Sequence, residues 1–422
     1  MPKLSLNVSK KFKHTPAGEI PVDWSWGKIG DLGKVQTGRQ KSPSFTKGSV
    51  RPYLRVANVM EGRLSLEDVR TMKFTDAEYH QFLLKNGDIL LNEGQSRELV
   101  GRAAMYKGRP ADCCFQNTLI RFQAGESITP EFSLCLFHFF LYCGKFSAIA
   151  SQTTSIAHLG TSRFAALPAP VPPLPEQRRI SKILTSWDRS IETLEFLIAA
   201  KERRKEALMQ QLLSGRIRLP GFAKDKWRKV QMSEILKRVF RPIEWHAEKQ
   251  LSLVSLRRRN GGLFRRPDML GSEYKTQDLH ELKAEDFLIS KRQVSHGAWG
   301  IVPPEFEGSH VSKEYAIFIN RAPRKLQMPF FARLAQTSRM IHQARVASTG
   351  VHIEKLIFDP AVFLRESICL PPTIKEQLKI AAIFETIDSE LTLHRQQLES
   401  LRSQKRGLMQ KLLTGDVRTT GS

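Results

Sequence analysis

The chain has 422 residues, 41% hydrophobic and 26% charged, which fits two or three globular domains and excludes wholesale disorder, a collagen-like repeat or a mini-protein scaffold. Lysine and arginine number 66 against 42 acids, a formal net charge of +24, which points to a polyanionic partner, with nucleic acid ahead of a merely basic surface or an anionic membrane. The five cysteines (Cys113, Cys114, Cys135, Cys143, Cys369) form no C-x-x-C pair or even framework, as expected for buried thiols in a reducing compartment. The start, MPKLSLNVSKKFKH, has no apolar core of a secretory signal, and the longest apolar run, Phe132 to Cys143, is too short to span a bilayer. A cytoplasmic protein without a membrane segment is the expectation.

The first predicted domain is residues 1–170. YLRVANV, DILLNEG and NTLIRFQ read as strands, and Phe132–Tyr142 reads as a buried helix. Gly33-KVQT-Gly38-Arg39 is the nearest miss to a phosphate-binding loop; it lacks the lysine and the hydroxyl, and reads as a turn. Candidate nucleic-acid contacts are Arg39 and Lys41, with amide or hydroxyl groups at Asn58, Gln95, Ser96 and Asn117, and Arg97 beside them. Asparagine and glutamine pair bidentately with adenine, and arginine serves both phosphate and guanine.

Residues 171–216 are a helical spacer region that holds the first long helix. Ile180, Leu184, Trp187, Ile191, Leu194 and Ile198 step by four and three, a heptad seam that Lys201 and Lys205 interrupt and Leu208 and Leu212 resume. Pro172, Pro173 and Pro175 precede it, and Gly215 sits where a left-handed residue ends a helix.

The second predicted domain is residues 217–370. LSLVSL, DFLIS and YAIFIN read as strands, with a helix near Pro329–Met340. Arg257, Arg258, Arg259, Arg265 and Arg266 crowd around Asn260-Gly261-Gly262, a basic hairpin tip able to reach phosphates and base edges, or else a solvated loop. Residues 371–422 repeat the helix: Ile380, Phe384, Ile387, Leu391, His394, Leu398, Leu401, Lys405, Leu408 and Leu412 lie on the same grid, closed by Gly415. Each helix of about 33 to 38 residues is about 50 Å long. Its best partner is the other copy. A domain must fit between the end of one helix and the start of the next, so the pair is antiparallel, with the two domains held apart by it. Local packing of each helix on its own domain is the alternative. Lys205 and Lys405 are expected to snorkel from the seam.

Aligned at an offset of 200 without gaps, Glu176–Arg218 and Glu376–Arg418 are identical at 13 of 43 positions, where chance gives about two or three. The preceding domains correspond more weakly: LKNGDILL with LKAEDFLI, Trp26-Gly-Lys-Ile with Trp227-Arg-Lys-Val, and TTSIAHL with STGVHIEKL. The expected fold is therefore α+β, two related domains with mainly antiparallel sheets separated by a helical pair.

Catalytic patterns are weak. Pro267-Asp268 with Glu281-Leu-Lys283 matches a metal-dependent nuclease pattern only loosely, and Glu281 corresponds to Leu83 in the first copy. His14, His138 and His394 lack metal-ligand spacing and read as structural.

The two copies of PLPEQ/IKEQ, then IxxIL/IxxIF, then LMQxLLxG, together with PYLRVANVMEGRLSLEDV, LKNGDILLNEGQS and FQNTLIRF, resemble the specificity subunit of type I restriction-modification enzymes across essentially the whole chain. The resemblance implies a non-catalytic subunit whose two target-recognition domains each read one half of a bipartite double-stranded DNA site. It implies that the helices set the gap and hold two modification subunits, which carry S-adenosylmethionine and methylate adenine. Two restriction subunits would add ATP- and Mg2+-dependent translocation and cleavage, so this chain itself would carry no cofactor or metal. The second domain departs from the family string, with LVSLRRRNGG where the first has LRVANVMEG.

Overall fold

A computed structural model describes residues 11–42, 45–152, 156–274, 276–352 and 356–419. Residues 153–155 and 353–355, inside the TTSIAHL and STGVHIEKL strings, and the first ten residues lie outside that set. The chain divides into two compact units, Met1–Glu195 with Gln396–Ser422, and Phe196–Arg395. Each unit holds one sheet-bearing module and one portion of each long helix.

In the first unit the central sheet is antiparallel and four-stranded, in the spatial order Gly33–Thr37, Leu119–Ala124, Ile89–Asn92, Ala103–Met105. The pleat sends alternate residues to opposite faces. Ile89, Leu91, Ile120 and Phe122 join one core with the helix Pro130–Tyr142, while Leu90 and Leu119 join a second core with Leu54, Val59 and Phe115. Phe137 packs edge-on against Phe122 and Phe164, at 5.1 and 5.2 Å between ring centroids. Phe132–Tyr142 is helical as expected. Two readings need correction. The Gly33–Gly38 stretch is a sheet strand running into a bridge, not a turn, and a Cβ on Gly38 would lie 2.3 Å from the Gln116 carbonyl oxygen. YLRVANV is not one strand: Ser49–Leu54 ends where the Asn58 side chain accepts from the Arg55 amide at 3.0 Å and turns the chain into a short 3-10 helix.

The second unit repeats the plan. Its sheet runs Leu236–Val239, Tyr315–Asn320, Phe287–Ser290, Trp299–Ile301, the same order and the same antiparallel pairing. Phe287, Ile289 and Phe318 face one core, Leu288 and Ile317 the other. The expected helix at Pro329–Met340 is two helices, Met328–Ala335 and Ser338–Val346, with Thr337 capping the second. The Trp26/Trp227 correspondence holds: Ser25–Lys28 pairs with Pro168–Val171, and Arg228–Gln231 pairs with Ser367–Leu370.

The long helices are Leu174–Leu212 and Ile374–Thr414, 39 and 41 residues, about 60 Å each. The first includes Pro175, which was expected to precede it, because a proline fits the first turn, where its missing N–H is not needed. Gly215 and Gly415 close them with φ of +70° and +79°.

Within each unit the helices run antiparallel. In the first, Glu176 faces Arg418, Asp188 faces Lys405 and Glu195 faces Arg402. In the second, Lys201 faces Glu390, Lys205 faces Asp388 and Arg218 faces Glu376. The seam residues Ile180, Leu184, Ile380, Phe384, Leu391 and Leu412 are buried, and Trp187, Ile191, Leu208, Ile387 and Leu408 are half-buried. Helix pairing and local packing therefore coexist. Ile180 and Leu184 pack on the first module beside Met409, Leu412 and Leu413, and Ile380 and Phe384 pack on the second beside Leu212 and Leu213. The lysines do not snorkel: Lys405 is 7% exposed and its Nζ lies 2.5 Å from Asp188, with Lys205 2.6 Å from Asp388.

Most identities of the repeat now have a cause. Arg418 forks onto Glu176 at 2.8 and 2.9 Å, and Arg218 onto Glu376 at 2.8 Å through both nitrogens. Gln177 and Gln377 are 0% exposed and act alike. Gln177 accepts from the Thr129 amide at 2.8 Å and donates to the Pro172 and Ser127 carbonyls; Gln377 accepts from the Gln327 amide at 2.9 Å and donates to the Pro371 and Lys325 carbonyls. Each glutamine ties the start of a long helix to the N-terminus of its module's own helix.

Candidate nucleic-acid interface

The arginine cluster is a hairpin. Val254–Leu256 pairs with Leu263–Arg265, and Val254 and Leu263 anchor it in the core of the second module. Its tip, Arg257–Gly262, is pinned from below. The Arg259 and Asn260 amides donate to the His296 and Gly297 carbonyls at 2.7 and 2.9 Å. Arg259 and Asn260 both adopt left-handed backbone, φ 56° and 55°, the pair of positive angles that a type I′ turn demands. Asparagine tolerates that geometry; arginine adopts it rarely, so the turn is held by its surroundings. The Asn260 side-chain oxygen accepts from the Trp299 indole N–H at 2.7 Å. Asn260, a candidate DNA contact with the arginines around it, thereby positions the turn through its side-chain oxygen.

Arg257, Arg258, Arg259 and Arg265 are exposed and Arg266 is half-buried. Arg257 lies 4.6 Å over Phe264, Arg265 5.3 Å over Phe306, and Arg266 5.6 Å over Tyr274. Arg258 donates to Gln293 at 2.6 Å. Arg265 also donates to the Ser252 hydroxyl at 2.9 Å and to the Glu305 carbonyl, so stacking and anchoring restrict these side chains at an exposed, cationic surface.

In the first module the polar candidates fall into one neighbourhood. Asn117, half-buried, donates its amide to the Arg39 carbonyl at 3.0 Å. The next residue, Thr118, accepts from the Glu93 amide at 3.0 Å, which brings in Gln95 and Ser96. Gln95 sits on the short strand Gly94–Gln95 and accepts from the Ser96 amide at 3.1 Å; Arg97, in the turn that follows, and Lys41 are exposed. Glu93 and His158 pair at 3.0 Å beside them.

Two candidates prove structural. Arg39 is 6% exposed, pairs with Glu78 at 2.8 Å and stacks on Phe45 and Phe74, so its charge is spent inside the module. Asn58 is 2% exposed, and its side-chain amide donates to the Ser65 and Asp68 carbonyls at 3.0 and 3.1 Å, closing a loop.

Gln293 was missed. It follows the sheet strand Phe287–Ser290 as Gln95 follows Ile89–Asn92. The register of LKNGDILLNEGQ on LKAEDFLISKRQ carries that signal. The nuclease pattern does not assemble: Asp268 and Lys283 are exposed on loops, Glu281 is half-buried on a strand, and among the described residues no three His, Cys, Asp or Glu gather as a metal site. Burial pushes the Cys113, Cys114 and Cys135 thiols up to about 12. Cys143 is exposed and Cys369 half-buried, contrary to the expectation that all five are buried. No helix among the described residues is long and apolar enough to cross a membrane.

Residues 21–201 match the family described as type I restriction modification DNA specificity domain. A putative type I restriction enzyme MjaX specificity subunit of Methanocaldococcus jannaschii is 23% identical over 444 residues, covering 98% of this chain and 98% of the relative. The MjaVIII specificity subunit of the same organism is 23% identical over 442 residues, 97% of this chain and 96% of the relative. A chain solved in a study of complex assembly and conformational transition of the type I R-M system superposes with a TM-score of 0.62 at 17% identity, over 94% of this chain and 99% of that one. The type I S subunit of M. genitalium gives 0.53 at 15% identity, over 98% of each chain. The shared architecture, the duplicated helices and the full-length correspondence point one way: residues 21–201 match the DNA specificity domain of type I restriction-modification enzymes, and nearly the whole chain is similar to their specificity subunits.

Proposed function

We propose that the chain reads a bipartite double-stranded DNA site, one half by the module within residues 1–170 and the other by the module within residues 217–370. The long helices set the unspecific gap and dock two modification subunits that methylate adenine. Two restriction subunits add ATP-dependent cleavage. S-adenosylmethionine, ATP and Mg2+ belong to those partners, and the assembly works in the cytoplasm. The observation that carries this reading is the repeated sheet order in two modules, each closed by reciprocal ion pairs from both helices. Two similar surfaces on one chain suit two like partners and two half-sites. The exposed arginines of the hairpin supply phosphate affinity, and Gln95, Ser96, Asn117 and Gln293 are the candidates for base edges.

The test is single-molecule methylation mapping of DNA from cells co-expressing this chain with the modification subunit, against cells lacking this chain. The expected result is a new bipartite motif modified at adenine on both strands. Chain-dependent modification without a bipartite motif would overturn the reading.

A further inference from the structure

One cross-helix contact was duplicated with its sign reversed. Glu195 accepts from Arg402 at 2.6 Å, and Glu202 accepts from Arg395 at 2.5 Å. Positions 195 and 202 lie one heptad apart on one flank of the first helix, and 395 and 402 are their counterparts in the repeat. The first copy is acidic at both positions and the second is basic at both. The other repeated pairs keep their sign: Glu176–Arg418 with Glu376–Arg218, and Asp188–Lys405 with Asp388–Lys205. Lys201–Glu390 has no counterpart, since the matching positions are Leu401 and Ser190.

We infer that this charge inversion selects pairing between the two unlike copies of the helix and excludes pairing with the identical helix of a second chain. The seam alone specifies that choice weakly, because most of its positions are apolar in both copies. Two first-copy helices from different chains, set in the same antiparallel register, would keep Glu176 against Arg218 and Asp188 against Lys205. They would differ from the observed pair by setting Lys201 against Ser190 in place of Glu390, and by placing Glu195 against Glu202 twice. Two second-copy helices would place Arg395 against Arg402 twice. Flanking charges of this kind set partner choice in coiled coils by repelling the wrong partner as well as attracting the right one. The four side chains are 38 to 58% exposed, so each pair adds little stability and its effect lies in discrimination. The partner this flank fits is a helix of opposite charge, which the chain itself supplies. A duplicated helix otherwise invites exchange between chains, and here two positions oppose it. The inference rests on the repeat and the helix contacts alone, and stands apart from the DNA-reading proposal.

The test uses the full chain in three forms. Glu195→Arg with Glu202→Arg makes both flanks basic, Arg395→Glu with Arg402→Glu makes both acidic, and the quadruple variant restores opposite charges with reversed polarity. At low salt both double variants are expected to unfold a few degrees below the wild type, and the quadruple variant to return to it. Differently tagged basic and acidic double variants, mixed in denaturant and refolded together, are expected to yield a two-chain species carrying both tags. Its amount, read by tag capture and light scattering, should exceed that from tagged and untagged wild type by about fivefold or more. Screening in 1 M salt should erase the excess. A quadruple variant no more stable than the doubles, or a two-tag species no more abundant than from wild type, would overturn the inference.

Discussion

His138 lies on the helix Pro130–Tyr142, 4% exposed, with Nε2 3.1 Å from the Ala103 carbonyl. Burial holds its pKa below the ordinary value, and the Lys405 charge nearby adds to the effect. The folded chain therefore keeps it neutral, while the unfolded chain protonates it near pH 6.5. The stability that depends on the neutral ring is intact above pH 6.5 and is lost as pH falls below it toward the depressed folded value, by at most about 1.4 kcal/mol per pH unit for one group. Burial also lowers His280 and His310, so they contribute slopes of the same sign. Denaturant unfolding from pH 7.5 to 5 should show this decline, and His138→Gln should flatten part of it. An equal slope in the variant would mean that His138 titrates alike in both states. The sequence reading of His138 as structural agrees with this environment, but the burial itself was not legible. Its environment includes the charge of Lys405, far along the chain, and the loop around Gly62, whose added Cβ would lie 3.4 Å from the ring.

Periodic elements were legible, and polar side chains in loops were not. The seam of the long helices could be read residue by residue, because a heptad pattern over ten turns has few alternatives. The strands Ile89–Asn92, Phe287–Ser290 and Tyr315–Asn320 were read because β-branched and aromatic runs sit between turn residues. Arg39 and Asn58 were misjudged as surface contacts because nothing adjacent in sequence shows that Glu78 and the carbonyls of Ser65 and Asp68 will enclose them. Arg257–Arg259 were placed correctly on a hairpin tip, yet the role of Asn260 turned on Trp299, 39 residues away. The helical element also carries a prediction. Lys201 faces Glu390 and Glu195 faces Arg402, so the point after Ile198 faces the point after Arg395. One heptad inserted at both points keeps the seam in phase and adds about 10 Å. If the helices set the gap as proposed, methylation mapping should return the same half-sites about three base pairs further apart, at 3.4 Å per base pair. An unchanged gap in an active complex would separate helix length from site spacing.

At the scale of the molecule, an excess of 24 positive charges is far more than a stable fold requires, and many of the cations that counter acids are already committed. Lys405, Arg218, Arg418, Arg241 and Arg39 all face carboxylates. What remains for a polyanion is the cation set that the fold displays, and the hairpin of the second module concentrates it. Three of its arginines occupy consecutive positions, and Arg259 takes a left-handed backbone that its own side chain disfavours. Replacing Arg257, Arg258 and Arg259 with alanine should leave the hairpin anchored, since Val254, Leu263 and the Asn260–Trp299 bond are untouched. Each lost phosphate contact lowers the slope of log affinity against log salt by about 0.9 on duplex DNA, so the triple variant should flatten the slope by up to about 3 and weaken binding most at low salt. Fluorescence anisotropy across a salt series measures both quantities. Weaker binding with an unchanged slope would assign the arginines to base edges instead of phosphates. Unchanged affinity and slope together would remove the hairpin from the interface and leave the first-module cluster around Gln95, Ser96 and Arg97 as the surface to substitute next.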